Sequence, residues 1–165
     1  MNKLKNVLIT GAAGGFGTVT IDALLAEGYT VTGAMRDMEG RNKQAAETLK
    51  RKGLFVVEID VTSDESVVEG TGKAAAQMGS IDILINNAGL GAGGIQEGFT
   101  ADDYKKVFDV NVFGVQRMTR AVLPFMDRNL INGNEKEDRA DPDRRRRAGR
   151  IPGRGAAGDR GDPVG

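Results

Sequence analysis

The chain contains no cysteine and no histidine. Without cysteine there is no disulfide framework and no thiolate chemistry, which fits a reducing compartment. Without histidine the commonest metal ligand and the commonest general base are both gone, and no metal site is expected. Neither sign of charge dominates. Lys and Arg number 23, Asp and Glu 23, so bulk electrostatics point to no particular partner. No apolar run approaches the roughly 20 residues of a membrane span. The opening Met1-Asn2-Lys3-Leu4-Lys5 leads straight into the first strand, with neither the apolar stretch nor the cleavage site of a secretory signal. The expectation is a soluble, cytoplasmic chain whose 165 residues suffice for one domain with a real core.

What is present is a glycine-rich turn, Thr10-Gly11-Ala12-Ala13-Gly14-Gly15-Phe16-Gly17, between the apolar run Asn6-Val7-Leu8-Ile9 and a helical pattern starting near Phe16. A strand enters it and a helix leaves it, which is the geometry of a phosphate cradle. Gly11 lets the strand turn sharply, Gly15 lets a pyrophosphate approach the backbone, and Gly17 lets the helix pack close to the sheet. The N–H groups of the helix's first turn, with the positive end of its dipole, then face the anion.

Up to about Asn129 the chain alternates short apolar runs with helical periodicity. Val7-Leu8-Ile9 reads as strand one. Ile21, Leu24, Leu25 and Gly28 carry the spacing of a helix packed on a sheet, with Gly28 placed to end it. Thr30 to Met35 reads as strand two. Arg41 to Lys52 reads as a polar helix with Ala45, Ala46 and Leu49 as its buried stripe and Gly53 as its stop. Phe55 to Ile59 is strand three, Ser63 or Asp64 caps a helix reaching about Met78, and Ile81 to Ile85 is strand four. Thr100 with Asp103 resembles a capping box and opens a long helical region to about Met126, with Pro124 near its end. Strands alternating with helices predict a parallel α/β sheet of the Rossmann, doubly wound type, with central order 3-2-1-4, truncated after strand four and its following helix.

Four stretches resemble the short-chain dehydrogenase/reductase family over about residues 3 to 130. The turn has that family's Thr-Gly-x-x-x-Gly-x-Gly spacing. Asn86-Asn87-Ala88-Gly89 follows strand four, Asp60-Val61 ends strand three, and Asn111-Val112-Phe113-Gly114 matches the family's Asn-x-x-Gly segment. The resemblance implies a cofactor-binding domain over 1–130. Thr10, Gly11, Gly15, Phe16 and Gly17 would hold the cofactor, joined by Asp60 and Val61 at the adenine and by Asn87, Ala88 and Gly89. Asn111 would perturb its helix and hold a water in a proton relay, and is the one catalytic candidate. NAD-binding members carry an acidic residue at the end of strand two; here that position is Met35. Arg36 lies where NADP-binding members place an arginine, whose guanidinium can grip a 2′-phosphate. Asp37 stands one place too late for the usual NAD selector, although a small loop shift would recruit it. NADP is therefore favoured over NAD, and a small-molecule carbonyl or alcohol is the implied substrate.

The family's catalytic tyrosine follows Asn111, with a lysine four residues later and a serine before it. The two tyrosines here, Tyr29 and Tyr104, both precede Asn111. Phe108 takes the fourth place after Tyr104, no serine follows Ser80, and the only lysine after Lys106 is Lys136. From about Leu130 the composition turns to Arg, Gly, Asp, Ala and Pro, with Arg144-Arg145-Arg146-Arg147 and three of the four prolines. This 131–165 tail is expected to be disordered. A frameshift near residue 130 would explain the change, since GC-rich codons encode such residues out of frame. The chain is then a cofactor-binding half with impaired catalysis and a tendency to form homo-oligomers or aggregates. The other reading is a non-catalytic nucleotide-binding or interaction module with a basic tail. Asp138, Asp141, Asp143, Asp159 and Asp162 dilute that basic charge and argue against nucleic acid.

Overall fold

The computed structural model describes residues 6–126. The expected disordered tail, the Arg144 to Arg147 run and the 130/131 domain boundary lie outside the described residues.

Four parallel strands are ordered β3-β2-β1-β4, as the sequence predicts. They are β1 (Asn6–Thr10), β2 (Thr30–Met35), β3 (Phe55–Glu58) and β4 (Ile83–Ile85). Helices α1 (Gly15–Ala26), α2 (Lys43–Arg51) and α3 (Asp64–Met78) make the crossovers. Side chains of successive strand residues point to opposite faces, so β1 serves two cores. Val7 and Ile9 pack with Ile21, Ala46 and Leu49 beneath α1 and α2. Leu8 packs with Val57, Val67, Ala74 and Met118 on the other face. Val7, Leu8 and Ile9 are all fully buried. This is why the run reads as continuous apolar sequence rather than as an alternation.

Local signals end the elements where the sequence places them. Gly28 adopts φ 79° after α1, and its N–H donates to the Leu25 carbonyl at 3.0 Å. Gly53 does the same after α2 at φ 84°. Ser63 caps α3, its hydroxyl accepting the Ser66 N–H at 3.2 Å. The Thr100–Asp103 capping box forms in both directions, with Asp103 N–H to Thr100 Oγ1 at 3.3 Å and Thr100 N–H to Asp103 Oδ2 at 3.0 Å.

Two expectations need correction. Strand four is shorter than Ile81–Ile85, because the buried Ile81 gives its N–H to the Phe125 carbonyl at 3.1 Å instead of to the sheet. The long helix from Thr100 to Met126 is also not continuous. It divides into α4 (Ala101–Phe108), a π turn (Asp109–Phe113), α5 (Gly114–Val122) and a 3-10 turn (Leu123–Phe125) holding Pro124. In the π turn the Gly114 N–H reaches back five residues to the Asp109 carbonyl. Arg117 braces that turn. Its guanidinium donates to Asp109 Oδ1 at 2.8 Å, to the Val61 carbonyl at 3.2 Å and to Asp64 Oδ1 at 3.0 Å. The Asp109 hydrogen bond, followed by the charges of Asp109 and Asp64, raises the Arg117 pKa despite the opposing effect of burial. Gly114 lets α5 approach β3's loop, since a Cβ there would lie 2.9 Å from Val61 Cγ2.

Candidate functional site

The carboxyl ends of all four strands open onto one cleft of about 530 Å³. The glycine turn forms one wall through Gly11, Gly15, Phe16 and Gly17. Met35 and Arg36 come from the end of β2, Asp60 and Val61 from the end of β3, and Asn87, Ala88 and Gly89 from the loop after β4. Every residue singled out in the sequence for cofactor binding lines this cleft except Thr10.

The turn is built for close approach. Gly11 sits at φ 65°, and a Cβ on it would lie 2.8 Å from Ala88 Cα. A Cβ on Gly17 would collide with the Gly11 carbonyl oxygen. A Cβ on Gly15 would meet nothing within 4 Å, so this backbone faces open cleft. Helix α1 starts from Gly14 with no side-chain cap and no acidic residue in its first turn. The N–H groups of that turn and the helix dipole are left to an anion.

Thr10 and Asn87 lock the turn to the β4 loop from behind. Thr10 is buried, and its hydroxyl accepts the N–H groups of Asn87 and Ala88, both at 3.0 Å. The Asn87 side-chain amide donates to the carbonyls of Thr10 at 2.9 Å and Gly11 at 3.1 Å. Its Nδ2 is thus committed to the protein's own backbone.

Asp60 is similarly braced. Its carboxylate accepts the Thr62 hydroxyl at 2.7 Å and the Thr62 N–H at 2.9 Å. Partial burial works against its charge. The Thr62 hydrogen bonds, helped by the Arg36 and Arg117 guanidiniums, outweigh that and hold the carboxyl below its ordinary pKa.

Asn111 lies in the π turn, beside the cleft rather than in its lining. Asn111 is exposed and nevertheless partnered. Its Oδ1 accepts the Leu90 N–H at 2.8 Å, and its Nδ2 donates to the Leu90 carbonyl at 2.9 Å.

Sequence reasoning missed Ala13, Gly14, Arg41, Asn42, Ile59, Leu90 and Val110, which also line the cleft. Ala13 and Gly14 occupy the variable places of the motif. Arg41 and Asn42 reach the cleft only because of how the loop before α2 turns, which no short-range periodicity encodes.

A family model described as short chain dehydrogenase matches residues 5–134. The chain belongs to the short-chain dehydrogenase family. It is 38% identical over 120 residues to 3-ketodihydrosphingosine reductase of Bacteroides thetaiotaomicron, covering 73% of this chain and 41% of that protein. It is 38% identical over 130 residues to retinol dehydrogenase 8 of Bos taurus, covering 75% of this chain and 41% of that one. Among solved structures, NADPH-bound carbonyl reductase from chicken fatty liver superposes with a TM-score of 0.68 at 27% identity, over 74% of this chain and 51% of that chain. A 3-ketoacyl-(acyl-carrier-protein) reductase from Brucella melitensis complexed with NADH gives 0.69 at 31% identity, over 78% and 52%. The chain thus spans from two fifths to half the length of these family members. Among the described residues no helix is long and apolar enough to cross a membrane.

Proposed function

We propose that this chain supplies the cofactor-binding half of an oxidoreductase that moves a hydride between a nicotinamide dinucleotide and a small carbonyl or alcohol, with NADP favoured over NAD. The observation that carries the cofactor preference is that two arginines, Arg36 and Arg41, line the cleft, with Met35 rather than an acid closing β2. A guanidinium matches a phosphate with two parallel donors, which a ribose hydroxyl cannot use. The open backbone at Gly15 and the uncapped start of α1 fit a pyrophosphate. Asp60 and Val61 would border the adenine, and Ala88 and Gly89 the nicotinamide side. Bound there, the cofactor supplies the hydride. Asn111 would act by fixing the Leu90 loop beside the cleft and by holding a water for proton transfer. Relatives named as a ketosphingosine reductase and a retinol dehydrogenase support the carbonyl-or-alcohol class.

The residue inventory points to binding without turnover. A phenol whose pKa a nearby cation lowers would have to follow Asn111. No tyrosine follows Tyr104 in these 165 residues. That absence also favours, as the second reading, a non-catalytic nucleotide-binding module. The test is a fluorescence titration with NADPH and NADH, followed by an assay with a ketone. NADPH should bind about tenfold or more tightly than NADH, the effect of one charged hydrogen-bond pair, and should not be oxidised. Equal affinities would remove the NADP preference, and turnover would require an acid other than the family tyrosine.

Self-association is also proposed. Phe108, Val112 and Phe113 are 52%, 48% and 53% exposed along the α4–α5 segment. Such a cluster favours contact with a second apolar surface. Sedimentation velocity should show species heavier than the 17.5 kDa chain. A monomer at every concentration would contradict this.

A further inference from the structure

Arg36 and Arg41 are five residues apart in sequence, and both line the cleft. A built turn joins them. Asp37 is the one non-glycine among the described residues with a positive φ, 54°. Its carbonyl accepts the N–H groups of Gly40 at 3.3 Å and Asn42 at 3.0 Å. Its Oδ2 accepts the Arg41 N–H at 3.1 Å. Asn42 closes the turn from the other side, its Nδ2 donating to the Arg36 carbonyl at 2.6 Å. Gly40 leaves room for this arrangement, because a Cβ there would run into the Asp37 carboxylate. The left-handed backbone suits Asp better than most residues, since a short polar side chain can bond locally.

We infer that Asp37 is a positioning residue for cofactor selectivity: its carboxylate, held inside the turn, sets Arg41 beside Arg36 so that both guanidiniums meet one phosphate, and is thereby withheld from ribose hydroxyls. The inference rests on the NADP reading above and goes beyond it. An acidic residue near the end of β2 would ordinarily count for NAD. Here the acid supports the opposite choice, because its Oδ2 holds the Arg41 N–H and Asp37 is not part of the cleft lining.

Dissociation constants for NADP and NAD, measured on the 165-residue chain and on Asp37→Gly, Gly40→Ala and Asp37→Asn, test this. Asp37→Gly removes the carboxylate without straining the positive φ. Gly40→Ala keeps the carboxylate but displaces it, and the displaced group is the end of a flexible, exposed side chain, so the fold tolerates the change. Both should weaken NADP about three- to tenfold, a partial loss of one charged hydrogen bond because Arg41 is displaced rather than removed, and leave NAD within about twofold. Asp37→Asn keeps an acceptor oxygen and tolerance of the left-handed region, so it should retain the wild-type preference. Controls are Arg36→Ala and Arg41→Ala, each expected to lose the preference. A wild-type preference that survives both Asp37→Gly and Gly40→Ala overturns the inference alone. So does a rise in NADP affinity common to Asp37→Gly and Asp37→Asn, which would mean that Asp37 acts only as a repelling charge. A wild-type chain that binds NAD as tightly as NADP overturns the underlying reading, and the inference with it.

Discussion

Replacing Gly17 by alanine is expected to weaken dinucleotide binding by about ten- to hundredfold, the effect of losing one or two charge-assisted hydrogen bonds. The cause is steric. A Cβ at this position would collide with the Gly11 carbonyl oxygen and would lie 3.0 Å from Ala12 Cα and 3.1 Å from Asn87 Nδ2. Two of these obstacles are backbone atoms, which cannot rotate away. The Gly11 carbonyl is also the acceptor for the Gly14 N–H at 3.0 Å and for Asn87 Nδ2 at 3.1 Å. Helix α1 would therefore have to lift off the turn, and its first N–H groups would leave the position that a pyrophosphate needs. Overpacking of this kind also costs roughly 1–3 kcal/mol of stability. Gly15→Ala is the control. Its Cβ would enter open cleft, so the fold should melt as wild type while binding weakens through direct obstruction. Paired titration and urea curves on both variants separate the two mechanisms. If Gly17→Ala bound the cofactor with wild-type affinity, the close contact between α1 and the turn would not be what shapes the cradle.

The parts of the molecule that could be read in sequence are those whose physics is local. β1 is buried on both faces, so Val7-Leu8-Ile9 reads as a strand without help from its partners. Gly28 and Gly53 stop their helices at positive φ, and the Thr100–Asp103 box is closed by residues three apart. The glycine turn is legible because its constraint is the absence of side chains at fixed spacing. What escaped the sequence depends on contacts between distant segments. The π turn at Asp109–Phe113 coincides with Arg117 reaching the loop after β3, more than fifty residues away in sequence. Neither end of that contact announces the other. Arg41 escaped because its place depends on the turn that Asp37 makes, and a hydrophobic period carries no record of a left-handed residue. Asn87 was read as a cofactor residue from its motif. Its position in the cleft lining agrees with that, while its hydrogen bonds to Thr10 and Gly11 give the side chain a structural task that the motif does not reveal.

Thr10→Val should be a strongly destabilising conservative change near the cleft, by about 1–3 kcal/mol, because it strands the Ala88 N–H and leaves the Asn87 N–H with the Ile85 carbonyl alone, at 3.1 Å. Valine copies the shape of threonine, so packing is almost unchanged at this buried site. What disappears is one oxygen. It accepts the N–H groups of Asn87 and Ala88, both at 3.0 Å, and donates to the Ile85 carbonyl at 3.4 Å. These groups sit where β4 ends and the loop turns away; the Ile85 carbonyl already takes the Asn87 N–H at 3.1 Å, and the Ala88 N–H has no second acceptor recorded among the described residues. A loss of that size is a large share of the roughly 5–15 kcal/mol that holds a domain together. The urea midpoint should fall without a change in slope, since the surface exposed on unfolding stays the same. Hydrogen exchange should quicken at the amides of Asn87 and Ala88 first. Thr10→Ser retains the hydroxyl and should recover most of the loss, leaving only the cost of a missing methyl. Because Gly11 and Ala88 are held by the same lock, the valine variant should also bind cofactor less tightly even though Thr10 does not line the cleft. Equal stability of the valine and serine variants would mean that water or a shifted loop satisfies the Ala88 amide. Thr10 would then hold no lock between the glycine turn and the loop after β4.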